Sequence, residues 1–171
     1  MPEAERSLLP IVFRPIGVIH TPHTDPGETP IQPAYAEGVT GRAEILAEFA
    51  EGLRDLEGFS HLHLIYGLHR AGPARLMVRP FLHDTPRGVF ATRAPSRPNP
   101  IGLSIVRLVR REGRVLHLAD LDMLDGTPLL DIKPYVARFD CRRDARGGWH
   151  REVDEETARR LGSRERPADS R

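Results

Sequence analysis

Residues 102–124, GLSIVRLVRREGRVLHLADLDML, hold two alternating runs joined at Glu112-Gly113, so a chain that carries them must build a sheet around an antiparallel hairpin. The rest of the sequence supplies further strands of similar length. PIGVIHTPH (15–23) puts Ile16, Val18 and His20 on one face and Gly17 and Ile19 on the other; GVTGRAEIL (38–46) and HLHLIYGLH (61–69) read as strands, and RAGPARLMVRPF (70–81) and GVFATR (88–93) as short extended pieces. AEFAEGLRDLEGF (47–59) spaces Phe49, Leu53 and Leu56 for a short helix ending near Gly58, and REVDEETARRLG (151–162) reads as a terminal helix. Many short strands, Gly/Pro punctuation and so little helix predict a mainly β, α+β fold: one domain, sandwich or barrel, over residues 11–145. Residues 1–10 read as a flexible leader and 146–171 as a polar extension, partly disordered. There is no GxGxxG after a strand and no GxxxxGK[ST], which removes the usual nucleotide folds.

Composition narrows the function classes. The net charge of +1 over 171 residues excludes a protein that coats nucleic acid through bulk charge, while leaving room for a local basic face. Cys141 is the single cysteine, so no disulfide framework is expected, and the absence of a signal-like start or a long apolar run predicts a cytoplasmic protein with no membrane partner. Lys133 is the single lysine among 25 basic residues, and a lysine held against so strong an arginine bias marks a position that needs a compact, flexible ammonium.

Three groups of residues are candidates for chemistry. Pro95, Pro98 and Pro100 stiffen the corner between two extended segments, and Arg93, Arg97 and Asn99 offer planar donors and an amide for a carboxylate or phosphate; a plain proline-rich connection with solvated arginines explains the same residues. Asp125-Gly126-Thr127-Pro128 is a turn whose amides and carbonyls could grip a heterocycle, and beyond it Asp131, Lys133 and Tyr135 recur at every second residue, projecting an acid, a cation and a phenol from one strand face. The alternative for that face is a solvated ion pair. His61 and His63 share one strand face, with His69 three alternations further along it, and that two-histidine spacing could ligate a metal, though the pair sits in an apolar strand without a clear third ligand; Ser60, Ser96 and Ser104 lack a nucleophile-elbow context.

PIGVIHTP, LEGFSHLHLIYGLHR, GVFATRAPSRPNPIGLSIVRL and LDMLDGTPLLDIKPY, taken together and in this order, resemble the TsaA-like, or TrmO, family of tRNA methyltransferases over roughly residues 13–140. The resemblance implies a single β-barrel-like domain of non-Rossmann type that binds S-adenosyl-L-methionine, works as a homodimer and methylates N6 of the threonylcarbamoylated adenosine after the anticodon of threonine tRNA. By motif position it implies a cofactor site at Gln32, Pro33, Ala34, His69, Arg70, Arg93, Leu103, Gly126, Thr127, Pro128 and Leu129. Asp131, Lys133 and Tyr135 are then the catalytic candidates, Arg97 and Asn99 the substrate-binding ones, and Arg138, Arg142, Arg143 and Arg146 candidates to track tRNA phosphates. Longer relatives carry a further carboxy-terminal domain. Two other classes fit parts of the pattern: a module that binds S-adenosylmethionine, or methylates another small acceptor, and a histidine-metal hydrolase.

Overall fold

A computed structural model describes residues 10–164, so the leader expected at 1–10 and the end of the extension lie almost wholly outside the described residues. Six antiparallel strands close a barrel in the order β1-β2-β7-β6-β3-β8: β1 Gly17–His20, β2 Thr40–Ile45, β3 His61–Gly67, β6 Ile101–Glu112, β7 Val115–Ala119 and β8 Thr127–Pro134. The remaining strands, β4 Met77–Val78 and β5 Arg87–Gly88, pair in a small separate ribbon between β3 and β6. Closure removes the free edges that six short strands would otherwise expose. Alternate residues point inward, and Ile19, Leu62, Leu64, Val106, Leu116, Leu118 and Leu129 fill the interior.

The hairpin forms with its loop one residue later than expected, at Gly113-Arg114, because Glu112 pairs with Val115 and Gly113 takes the left-handed φ of 58°. The helix expected over 47–58 is instead two 3₁₀ turns, Ala47–Leu53 and Leu56–Gly58, broken where Asp55 takes a left-handed φ of 66°. Leu53 and Leu56 still enter the core and close the lower end of the barrel, where the Arg111 guanidinium donates to the Leu53 carbonyl at 3.2 Å and to Glu57 at 2.6 Å. GVFATR is a 3₁₀ turn over Val89–Ala91 rather than a strand. Past β8 the chain forms a single helical turn, α1 Ala137–Asp140, and then the helix α2, Glu155–Ser163.

A bulge in β8 decides what faces the site. Ile65 pairs with Asp131 but Tyr66 pairs with Leu129, which leaves Leu130 as an extra residue. Strict alternation would put Thr127, Leu129 and Asp131 on one face. The extra residue sends Thr127, Leu129 and Ile132 toward the core and turns Asp131 and Lys133 outward.

Candidate functional site

The upper end of the barrel gathers residues that are distant in sequence. His69 and Arg70 follow β3, Arg93 precedes β6, Gln32 lies in the loop between β1 and β2, and Gly126-Thr127 open β8. The Arg93 guanidinium donates to the Gln32 side-chain carbonyl, Arg70 donates to the Thr24 carbonyl at 2.7 Å, and the Thr127 hydroxyl lies 3.4 Å from His69 Nδ1. Pro33 and Ala34 continue from Gln32 into a 3₁₀ turn, Pro33–Tyr35. The structure thus joins the first loop, the proline corner and the glycine turn at one rim.

The glycine turn is more occupied than its sequence suggests. The Asp125 amide donates to the His23 carbonyl at 2.7 Å and the Gly126 amide to the Ile19 carbonyl at 2.9 Å, so they tie the turn to the loop after β1 and to β1 itself rather than standing free. Gly126 takes a φ of 75°, and no atom lies within 4 Å of where a Cβ would stand, so the turn needs a left-handed residue and leaves open space beside it. Thr127 and Leu129 bury their side chains in the barrel, and the Leu129 carbonyl accepts from the Ile16 amide at 2.8 Å.

An outer face adjoins this rim. Register places Leu103, Ile65 and Asp131 in one row across β6, β3 and β8, with Ile105, His63 and Lys133 in the next. Ile101, Leu103 and Ile105 are exposed apolar side chains on β6. Lys133 Nζ lies 2.8 Å from Asp131 Oδ2. Tyr135 is four residues, about 13 Å, further down the strand direction, packed against His61 and His63, with His63 in turn 3.4 Å from Asp140. Asp131 therefore shares the row of Leu103, with Ile65 between them, and Lys133 the next row, while Tyr135 lies past the end of β8 on the far side of His63.

Arg97 is used within the corner. Its guanidinium donates to the carbonyls of Val89 (3.1 Å), Thr92 (2.8 Å) and Ala94 (3.3 Å), holding the proline loop shut, while Asn99 and Arg93 are exposed. Among the described residues, no group of three or more His, Cys, Asp or Glu side chains is arranged to hold a metal ion.

Sequence reasoning missed the polar network inside the rim. Ser104 donates to Asp122 at 2.6 Å, and with that proton committed the Tyr66 hydroxyl, 2.9 Å away, donates to Ser104. Burial and the Asp122 charge both push the Tyr66 phenol up, which keeps it a donor. Burial pushes Asp122 to about 6, against the opposing pull of the Ser104 hydroxyl, a backbone bond and the Arg93 charge. The available signal was the second of two acids, Asp122, in the otherwise apolar run LADLDML.

This network has a pH signature. The folded chain holds the Asp122 proton more tightly than the unfolded chain, so its contribution to stability is full below about pH 4 and is lost as pH rises through about 6. Five other carboxylates have the opposite sign. The Val136 amide holds Asp140 low and the Thr157 amide holds Asp154 low, a backbone bond and Arg111 lower Glu57, Arg110 and His117 lower Glu112, and at Asp125 the upward push of burial is outweighed by the Thr21 amide and His20. Their contribution is present above about pH 4 and disappears on acidification. Asp122→Asn is expected to flatten the decline in Tm between about pH 4 and 7 and leave the acid limb intact, a gain on the order of 1–3 kcal/mol at neutral pH after allowing for partial exposure. A melting series that superimposes on wild type across that range would refute the assignment.

The comparisons with known proteins agree with this geometry. The family model of the tRNA-methyltransferase O N-terminal domain matches residues 18–141. A probable S-adenosyl-L-methionine-binding protein of Pyrococcus abyssi is 56% identical over 141 residues, covering 82% of this chain and 77% of that protein. The tRNA (adenine(37)-N6)-methyltransferase of Escherichia coli is 38% identical over 143 residues, covering 78% of this chain but 61% of the enzyme. The crystal structure of TrmO from Pseudomonas aeruginosa superposes with a TM-score of 0.68 at 40% identity, covering 82% of this chain and 62% of that one. The chain thus spans about three fifths of the length of these two methyltransferases. With the same closed barrel and a match across most of its length, this chain belongs to the tRNA-methyltransferase O family, through that family's N-terminal domain.

Proposed function

We propose that the protein is an S-adenosylmethionine-dependent tRNA methyltransferase acting on N6 of threonylcarbamoyladenosine beside the anticodon of threonine tRNA. The observation that carries this reading is the meeting of the rim (Gln32, His69, Arg93, Gly126) with the outer face that bears Leu103, Asp131 and Lys133. The donor set suits the cofactor: Arg70 and Arg93 complement its carboxylate, Leu103, Ile65 and Pro128 give an apolar bed for its adenine, and the space beside Gly126 admits a close approach. When bound, the cofactor supplies an electrophilic methyl group for an in-line displacement.

The protein's work in that displacement is alignment and proton removal. The acceptor nitrogen is urea-like, with a delocalised lone pair, and attacks well only as its proton leaves; Asp131 is positioned to take it, directly or through water. Lys133, now held by Asp131, pairs with the carboxylate of the threonylcarbamoyl group and releases Asp131 for that role. Tyr135, further along the same face, stacks on a flanking base. The segment 68–100 carries six arginines against the single acid Asp84, with Phe90 exposed beside Arg97, and suits an RNA strand. A second copy of the chain, covering Ile101 and Ile105, completes a homodimer.

The test is transfer of labelled methyl groups from S-adenosylmethionine to threonine tRNA with and without the threonylcarbamoyl group, with sedimentation run at assay concentration. Label is expected on N6 of the modified adenosine alone, from a dimer. Lys133→Ala is expected to lower kcat/KM on that substrate by about 10- to 100-fold, the loss of one charge-assisted hydrogen bond. Equal turnover by wild type and Lys133→Ala removes the carboxylate assignment. A second reading, a module that binds S-adenosylmethionine without methylating tRNA, is favoured by the name of the P. abyssi relative. It prevails if the cofactor binds and neither tRNA is labelled.

A further inference from the structure

The stretch that begins beyond the family match makes contacts that a plain polar extension would not. Asp154 caps α2 by accepting from the Thr157 amide at 2.8 Å, and at the other end of the helix Gly162 is buried against Tyr35. The Gly162 carbonyl accepts from the Ile31 amide at 2.9 Å, and a Cβ on Gly162 would stand 2.4 Å from the Tyr35 ring. Arg164 then donates to the Pro26 carbonyl and lays its guanidinium 3.9 Å from the centre of the Phe81 ring. Upstream, Trp149 Nε1 donates to the Ala91 carbonyl at 2.8 Å, and Arg87 pairs with Glu152 at 2.8 Å while lying over the Trp149 ring.

Residues 148–164 therefore bind two separate segments, 26–35 and 81–91, and these segments run into Gln32 and Arg93, the pair that closes the rim. The first of them, with the two residues before it, holds TDPGETPIQP (24–33) and belongs to no strand ladder. A loop without a ladder pays its full ordering entropy whenever a ligand needs it fixed, and a packed helix removes part of that cost beforehand.

We infer that residues 148–164 form a clasp that fixes the Gln32–Ala34 loop against Arg93 and thereby sets the affinity for the cofactor, with Gly162, Tyr35 and Arg164 as positioning residues. This rests on the proposal that the loop binds S-adenosylmethionine. It predicts that the clasp acts on cofactor affinity and leaves the chemical step alone.

The experiment uses the full chain. In Gly162→Val the new side chain collides with Tyr35. Its Kd and KM for S-adenosylmethionine are expected to rise tenfold or more with kcat at saturating cofactor unchanged, and amides of residues 24–35 to exchange faster while β3 and β6 keep their protection. Arg164→Ala, which removes contacts without adding bulk, is expected to show the same pattern at about threefold. It stands alone if Gly162→Val does not fold. Gln32→Ala is the reference, expected to weaken cofactor binding without altering exchange in α2. If Gln32→Ala weakens binding while both clasp variants bind as wild type does, the clasp is refuted and the loop's assignment stands. If Gln32→Ala also binds normally, the loop's role fails and the clasp inference falls with it.

Discussion

Arg93→Ala is expected to lower kcat/KM for S-adenosylmethionine-dependent methyl transfer by about two orders of magnitude, because on the proposed function this one guanidinium serves three parts of the rim. It holds Gln32 of the first loop and its charge favours the ionised form of Asp122, and in the proposed function it is the cation that pairs with the cofactor carboxylate. Removing it frees the loop and pushes Asp122 further toward the protonated state. Arg93→Lys retains the charge but loses the planar fork, so it recovers only part of the activity while keeping Asp122 near its present state. Cofactor affinity and turnover within twofold of wild type in Arg93→Ala would move the binding site away from this rim.

Gly102→Val is the expected largest loss of stability. Gly102 is the inward residue of β6 opposite Tyr66, and a Cβ there would stand 2.2 Å from Tyr66 Cε2 and 2.4 Å from Cζ. The ring cannot shift outward past its own strand, so relief means pulling the phenol off Ser104 and leaving Asp122 with a loosened donor. Overpacking plus a damaged buried network together cost about 3–5 kcal/mol, a fall in Tm of roughly 10 °C for a chain of this size. Adding Tyr66→Leu makes room for the new methyl groups and is expected to recover part of the loss. Differential scanning calorimetry that finds Gly102→Val melting within about 2 °C of wild type would mean the ring has somewhere else to go.

Both effects arise from contacts between residues far apart in the chain, which is where the reading of the sequence stops. The alternating runs around Gly113, and the strands at 17–20 and 61–67, were legible because a side-chain period of two is a local property that burial on one face imposes. The outward placement of Asp131 and Lys133 together was legible for the same reason. The local pattern misled where a longer-range partner decides the geometry. The 47–58 segment has helical spacing but must turn sharply at Asp55 to cap the barrel, and GVFATR has strand-like residues but finds no ladder at 89–91. Arg97 reads as a ligand-binding cation, and the three carbonyls that its guanidinium serves, those of Val89, Thr92 and Ala94, are not legible in that reading.

By itself the sequence determined a mainly β chain, the hairpin at its centre, the acid and cation side by side on one strand face, and membership of a recognisable family. Tertiary structure alone decided the rest. Barrel closure brings β3 against β8 across more than sixty residues and collects His69, Arg93, Gln32 and Thr127 on one rim, and no local preference encodes such a meeting. The bulge at Leu130 separates the inward Leu129 from the outward Asp131 because register is set by both neighbouring strands at once. The clasp at Gly162 depends on a glycine whose missing side chain matters only because Tyr35 fills that space.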